Sequence, residues 1–492
     1  MKLTIKKLSY MALLVAMTMM QTSCDELLGE TDNPTPNDDP AKIAVTDVTL
    51  DETTLEMVYG IGKDVTLEAT VSSADIEDFD VTWSSSDESV ATVDDAGVVH
   101  AVGAGTAVIT AKAGSKKATC DVSVVVNLET PLTFEAAAAG ATVKFNKSGN
   151  IVAPNVEYSL DGGITWKDDL TAAGVTLAAA GDKISFRGTN EAYGAEYIYD
   201  CYRFKLSNET YVYGNVMSLI NKDNYPTNKT LTAKKAFKGM FYEQENLKNK
   251  DADHQIYLPA TTLTEDCYDV MFWSCKYLTT APELPATTMK KGCYWEMFDW
   301  CESLTTAPEL PATTLAEECY ESMFESCKKL TTAPKLPAET LAEYCYDGMF
   351  SNCTSLTTAP ELPAKTLAKG CYYGMFGNCK NLTTAPELPA KTLAENCYNN
   401  MFNGCKKLSS VTCKATDLSA TGCLADWLED AGIDESVTTK TIYISSAYSA
   451  YIADMNGNLA GTAADAQINA NVPWIKGNKG IPAGWTIAAA AE

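Results

Sequence analysis

Twelve of the chain's 17 cysteines fall in one recurring phrase, Cys-Tyr-x-x-Met-Phe-x-x-Cys, which begins at Cys267, Cys293, Cys319, Cys345, Cys371 and Cys397. Thiols at fixed spacing can form disulfides, ligate zinc or act as nucleophiles, and each use makes its own demand on geometry. If the phrase is helical, eight residues part the paired Cα atoms by about 12 Å, whereas a disulfide needs less than about 7 Å. Zinc lacks further ligands nearby, since His100 and His254 are the only histidines. The first cysteine of each pair lies on an apolar stripe, where a thiol behaves as a small hydrophobe. The pairs therefore read as buried, reduced ladders. Bridges between adjacent repeats are the alternative.

Other chemistry is thin. The sequence holds no nucleophile elbow, phosphate loop or metal motif. A glycosidase-like carboxylate pair would have to hide among 64 acidic residues. The repeats offer one acidic row, the residue before each Leu-Pro: Glu283, Glu309, Lys335, Glu361 and Glu387. Stacked about 5 Å apart, like charges repel, and Lys335 relieves the middle of the row. A cation or basic partner would relieve it too, though a solvated acidic face is the plainer reading. Trp273 and Trp295 fall opposite the apolar stripe in neighbouring repeats, as a ligand-contact patch would. Packing against the preceding segment explains them almost equally. No catalytic residue, metal or cofactor is expected, so the chain does not read as an enzyme.

These residues must be positioned by a repeat. The phrase recurs every 26 residues without insertion, alternating with Leu-Thr-Thr-Ala-Pro-Glu-Leu-Pro-Ala, as at Leu304–Ala312. Such a period is the mark of a solenoid, whose units bury their apolar faces on one another. Leu315, Cys319, Tyr320, Met323, Phe324 and Cys327 cover half of a helical wheel, which predicts a helix of about three turns per repeat. Leu304–Pro308 reads as a short strand in parallel with its copies. A strand plus a helix per repeat is a leucine-rich-repeat geometry. Ala236–Phe241 is an irregular first copy. After Leu408 the pattern decays: Cys413 and Cys423 read as off period, Asp426–Glu429 as a last helix, Thr441–Ile444 as a last strand. Trp474 and Trp485 read as folding over the open end. The phrase Met-Phe-x-x-Cys-x-x-Leu followed by Leu-Pro-Ala resembles the BspA-like leucine-rich-repeat surface proteins.

The chain ahead of the repeats reads as their delivery. Residues 1–23 combine Lys2, Lys6 and Lys7 with an apolar run from Tyr10 to Met20, a secretory signal. The ending Gln21-Thr22-Ser23-Cys24 resembles a bacterial lipobox, which implies lipidation of Cys24. The following Asp25 and Glu26 resemble an export tag to the outer cell face. Residues 24–42, with Pro34, Pro36 and Pro40, form a flexible tether. From 43 to 127 apolar and polar residues alternate with regular turns, the pattern of a β-sandwich. Trp83-Ser84-Ser85-Ser86-Asp87, Ala91-Thr92-Val93-Asp94 and Gly103-Ala104-Gly105-Thr106 are similar to group 2 bacterial Ig-like domains, with Trp83 a core residue and Gly105 a turn glycine. Residues 128–228 form a second β-rich, sandwich-like domain. Its Trp166, Tyr193, Tyr197 and Tyr199 would suit a sugar-stacking platform, or more simply complete a core. Residues 229–412 are the solenoid and 413–492 its C-terminal cap.

The formal charge is −26, and −29 without the three signal lysines. Such a chain repels phosphate backbones, so nucleic acid is not an expected partner. The expectation is a non-catalytic, outer-membrane lipoprotein, exposed on the cell surface and touching the membrane only through Cys24. It would bind or adhere to a host or bacterial surface protein through its repeats. The alternative is a glycan-binding protein of a polysaccharide uptake system.

Overall fold

The computed structural model describes residues 45–59, 64–73, 80–147, 151–457, 481–482 and 484–491. The expected signal sequence, Cys24, the tether and Trp474 lie outside the described residues. The chain divides into two compact units, Met1–Asn127 and Leu128–Glu492.

In the first unit, strand Gly105–Ala113 turns through Gly114, at φ +57°, into its antiparallel partner Lys116–Val126. Thr82–Ser85 and Thr54–Tyr59 complete this sheet on its two edges. Alternation sends Ala107, Ile109, Cys120, Val122 and Val124 inward to meet Leu67, Val90 and Val99. Trp83 packs against this core, as expected. Gly97 has no substitute here: at φ +80°, an added Cβ would stand 2.7 Å from the Trp83 ring and 2.6 Å from the Leu67 carbonyl. Gly105 opens a strand rather than making a turn, and its missing Cβ leaves room for Val90.

The second unit begins as two facing sheets. Leu132–Ala136 is flanked by Lys183–Gly188 and Thr210–Asn215, while Ala141–Lys147 pairs with Val175–Leu177 and Arg203–Leu206. Phe134, Phe145, Phe186 and Phe204 fill the space between them. Thr210–Asn215 then pairs in parallel with Leu247–Lys248 and Ile256–Tyr257, so the sheet's edge is the first rung of the repeats. Phe204 stacks on Phe241, and one apolar core runs on from there.

The helix expected in each repeat does not form. Glu318 to Cys327 is a train of turns in which Glu318, Ser322 and Ser326 stand at φ +58°, +48° and +57°. Alternate N–H groups have different fates. Those of Glu321, Met323, Glu325 and Cys327 close local turns to carbonyls three residues back. Those of Glu318, Tyr320, Ser322, Phe324 and Ser326 reach carbonyls of the next repeat, 2.7–3.1 Å away. A helix would have kept all of them within the repeat. The left-handed residue recurs at four-residue spacing in every copy, as in Gly370, Gly374 and Asn378. Leu315, Cys319, Met323 and Cys327 therefore align at a period of four, not 3.6.

Stacking builds two buried aromatic ladders. Phe237 and Tyr268, Tyr294, Tyr320, Tyr346, Tyr372 and Tyr398 form one, with centroids 5.6–6.0 Å apart. The other runs from Phe241 through Phe272, Phe298, Phe324, Phe350 and Phe376 to Phe402. The threonine segments do stack in parallel, but mostly as single bridges such as Thr280 to Thr306 and Thr306 to Thr332. Full strands appear only towards the end, where Thr384–Leu388, Ser410–Cys413, Thr441–Ile444 and Thr486–Ala489 form a parallel sheet. Asp426–Glu429 is another turn segment rather than a helix, with Gly422, Asp426 and Asp430 left-handed. Cys423 is therefore in register, its carbonyl accepting from the Tyr398 N–H. Trp427 and Trp485 are buried in the core's far end.

Candidate functional site

In each turn segment the two residues that follow the Tyr and Phe of the ladders lie outside those ladders, buried or half-buried. In successive repeats these are Asp269 and Trp273, Trp295 and Asp299, Glu321 and Glu325, then Asp347 and Ser351. Trp273 and Trp295 are thus equivalent by local geometry but stand one turn apart, not side by side. Both are half-buried, contrary to the exposed pair expected. Trp273 stacks on Tyr242 at 4.8 Å and donates its Nε1–H to Asp299 Oδ2 at 2.9 Å. Trp295 lies in the row of Asp269 and Glu321. The helical wheel misplaced them because its 100° step does not apply to a four-residue turn.

The exposed ring is Trp300, 40% accessible at a left-handed position. The Lys328 ammonium lies over it, 5.2 Å from the ring centre. Trp300 is the residue before the second cysteine of its repeat, and the recurrence of Asn and Gly at that position, in Asn352, Asn378 and Gly404, was the signal that it projects from a tight turn. Trp273, Trp300, Ser274, Glu243 and Glu302 line a cavity of about 620 Å³, within the usual range for a binding pocket.

Beside it runs a row of buried and half-buried acids that the sequence reading missed. Asp269 is almost fully buried against Lys238, 2.7 Å from its Nζ. Burial pushes the Asp269 carboxyl up to about 7. Burial and the neighbouring Glu325 charge push Asp299, 6% exposed, up to about 8. Glu321 rises to about 8 through burial and the charges of Asp347 and Glu318, and Asp347 to about 7 through burial and Glu325. Desolvation penalises the ionised form, and acids facing acids add to the penalty. Among the described residues no group of three His, Cys, Asp or Glu side chains has the geometry of a metal site.

The expected acidic row is present and exposed: Glu283, Glu309, Lys335, Glu361 and Glu387 follow one another in repeat register. Lys414 closes its end on Glu387 at 2.8 Å. Of the possible sugar platform, Tyr193 is only 1% exposed and belongs to the core. Trp166 is half-buried beneath the Arg187 guanidinium at 4.1 Å. Tyr197 and Tyr199 alone are well exposed among the four, so the platform is not assembled.

The repeat cysteines are buried and unbridged. The second of each pair donates its thiol to the phenylalanine carbonyl of the preceding segment, as Cys301 to Phe272 at 3.2 Å and Cys353 to Phe324 at 3.1 Å. Burial pushes these thiols up, Cys293 and Cys379 to about 12. They are structural groups, not nucleophiles.

Residues 44–122 match the family of bacterial Ig-like domains (group 2). No curated protein matches the chain.

Proposed function

We propose that this is a non-catalytic, surface-displayed protein that binds or adheres to proteins of another surface through its stacked repeats. The Ig-like match over residues 44–122 carries this reading, since it points to a surface or adhesion-type protein. The likeness of the Met-Phe-x-x-Cys and Leu-Pro-Ala phrases to BspA-like surface proteins supports it. So does the repeat stack, whose every unit adds another copy of the same outward positions. In this reading Cys24 is lipidated and holds the chain to the outer membrane. Glu283, Glu309, Glu361 and Glu387 form the exposed acidic edge of the binding surface, with Trp273 and Trp295 as half-buried supports at one end.

The test has two parts. Asp25–Glu492 is screened against extracellular-matrix proteins and mucins, with polysaccharides alongside. Saturable protein binding is expected; binding to polysaccharides alone replaces adhesion with glycan capture. In cells, Cys24→Ser should release the protein from the membrane fraction, and retention of that variant would sink the lipid anchor.

A further inference from the structure

Ser274, Glu243 and Trp300 occupy equivalent left-handed positions in three successive turn segments. Backbone bonds from Glu243 N to Trp273 O and from Ser274 N to Asp299 O, each 2.8 Å, hold them in register. A small side chain between two large ones leaves a slot, and the 620 Å³ cavity opens there. With stacked segments about 5 Å apart, Glu243 and Trp300 stand roughly 10 Å apart, room for one flat group between them. Two residues further along each segment lie Glu245, Lys276 and Glu302.

The charge of this slot is uneven. Lys276 pairs with Glu245, and Glu302 with Lys328 at 2.8 Å. Glu243 is exposed and has no ion pair among the described residues. Trp300 already carries an ammonium on one side, and the slot lies on the side of the preceding segment.

We propose that the slot binds the guanidinium of an arginine presented by a partner protein. This rests on the reading of the chain as a protein-binding scaffold. A guanidinium is flat, stacks on an indole face and offers forked donors to carboxylates. Glu243 and Trp300 line the slot together, so one cation can answer the charge and the ring. The net charge of −26 draws basic segments towards it. The chain's own two arginines, Arg187 and Arg203, do not line the slot. A neutral sugar would cover Trp300 but leave the Glu243 charge unanswered.

Calorimetric titration of Asp25–Glu492 with a capped Gly-Arg-Gly peptide, and with its lysine and citrulline counterparts, tests this. The arginine peptide should bind best, the citrulline peptide not at all, and added salt should weaken binding. Glu243→Gln, a conservative change at an exposed residue, and Trp300→Ala should each lower affinity roughly tenfold. Ser274→Arg should block the slot from within. Equal binding of the citrulline peptide, or arginine binding untouched by both Glu243→Gln and Trp300→Ala, overturns the assignment. So does a neutral oligosaccharide that binds and is lost in Trp300→Ala while the arginine peptide stays silent. Matrix-protein binding that persists in all three variants removes this slot and leaves the scaffold reading standing.

Discussion

A thiol at the second cysteine of each repeat fills a place that few side chains could. It is small enough for the turn's interior, apolar enough for the aromatic ladders, and still a donor to a carbonyl that already accepts one N–H. Phe324 O, for example, takes both the Cys327 N–H and the Cys353 thiol. Cys353→Ala removes the sulfur and the weak bond together, and should cost about 1–2 kcal/mol. A chemical-denaturation midpoint equal to that of the parent would show that the thiol is dispensable. The same burial predicts silence towards alkylation. With burial raising Cys293, Cys371 and Cys379 to about 12 and Cys301, Cys327 and Cys353 well above the ordinary thiol range, thiolate is scarce at pH 8. Iodoacetamide followed by mass spectrometry should label the repeat cysteines only in denaturant. Prompt labelling of the folded protein would contradict their structural role.

At the scale of the element, the turn segment trades backbone strain for bonds between repeats. Each left-handed non-glycine residue costs about 1–2 kcal/mol, and the alternate N–H groups reaching the next repeat offset this. Two glycines separate the contributions. Gly374, at φ +56°, has open space where a Cβ would go, so Gly374→Ala reports strain alone, about 1 kcal/mol. Gly370, at φ +58°, would place its Cβ 2.3 Å from Tyr344 Cε1, so Gly370→Ala should cost more. Tyr344→Ala in that background should recover the excess, read as thermal midpoints across the double-mutant cycle. Equal losses for the two alanines would mean the ring simply moves aside. The same residues show what could be read beforehand. The 26-residue period, the parallel stacking and the buried face are consequences of identical phrases, and they were legible. The turn was not, because Leu315, Cys319, Tyr320, Met323 and Phe324 satisfy a helical wheel nearly as well as a four-residue repeat. The deciding evidence sat in Gly370, Gly374, Asn378, Asn396, Asn400 and Gly404, residues that tolerate positive φ and recur every fourth position. Trp300 and Asp299 went unread for the same reason, since their direction follows from the turn.

At the scale of the molecule, acidity works against the fold in a defined pH window. Asp269, Asp299, Glu321 and Asp347 hold their protons up to about 7, 8, 8 and 7, whereas in the unfolded chain they release them near 4. Between those values the folded state carries more protons than the unfolded one, so stability falls as pH rises. Below about pH 4 the opposite limb takes over. Lys222, and against partial burial Arg187, hold Glu157 below its usual range, and that contribution disappears on protonation. The groups facing the acid row give it little relief: Lys238 serves Asp269, the Trp273 N–H serves Asp299, and Ser322 and Asn352 serve Glu325. With a net charge of −26, general repulsion pushes the same way as the pH rises. The thermal midpoint should therefore be highest near pH 5 and decline steadily to pH 9. Salt should recover the part due to exposed charges and little of the part due to buried ones. Asp299→Asn, which keeps an acceptor for Trp273, and Glu321→Gln should each flatten the decline, raising stability at pH 9 by roughly 1 kcal/mol while changing it little at pH 5. Melting curves of the two variants that run parallel to the parent's across this range would mean that the row ionises at ordinary values, and that the repeats carry their acids at no cost to the fold.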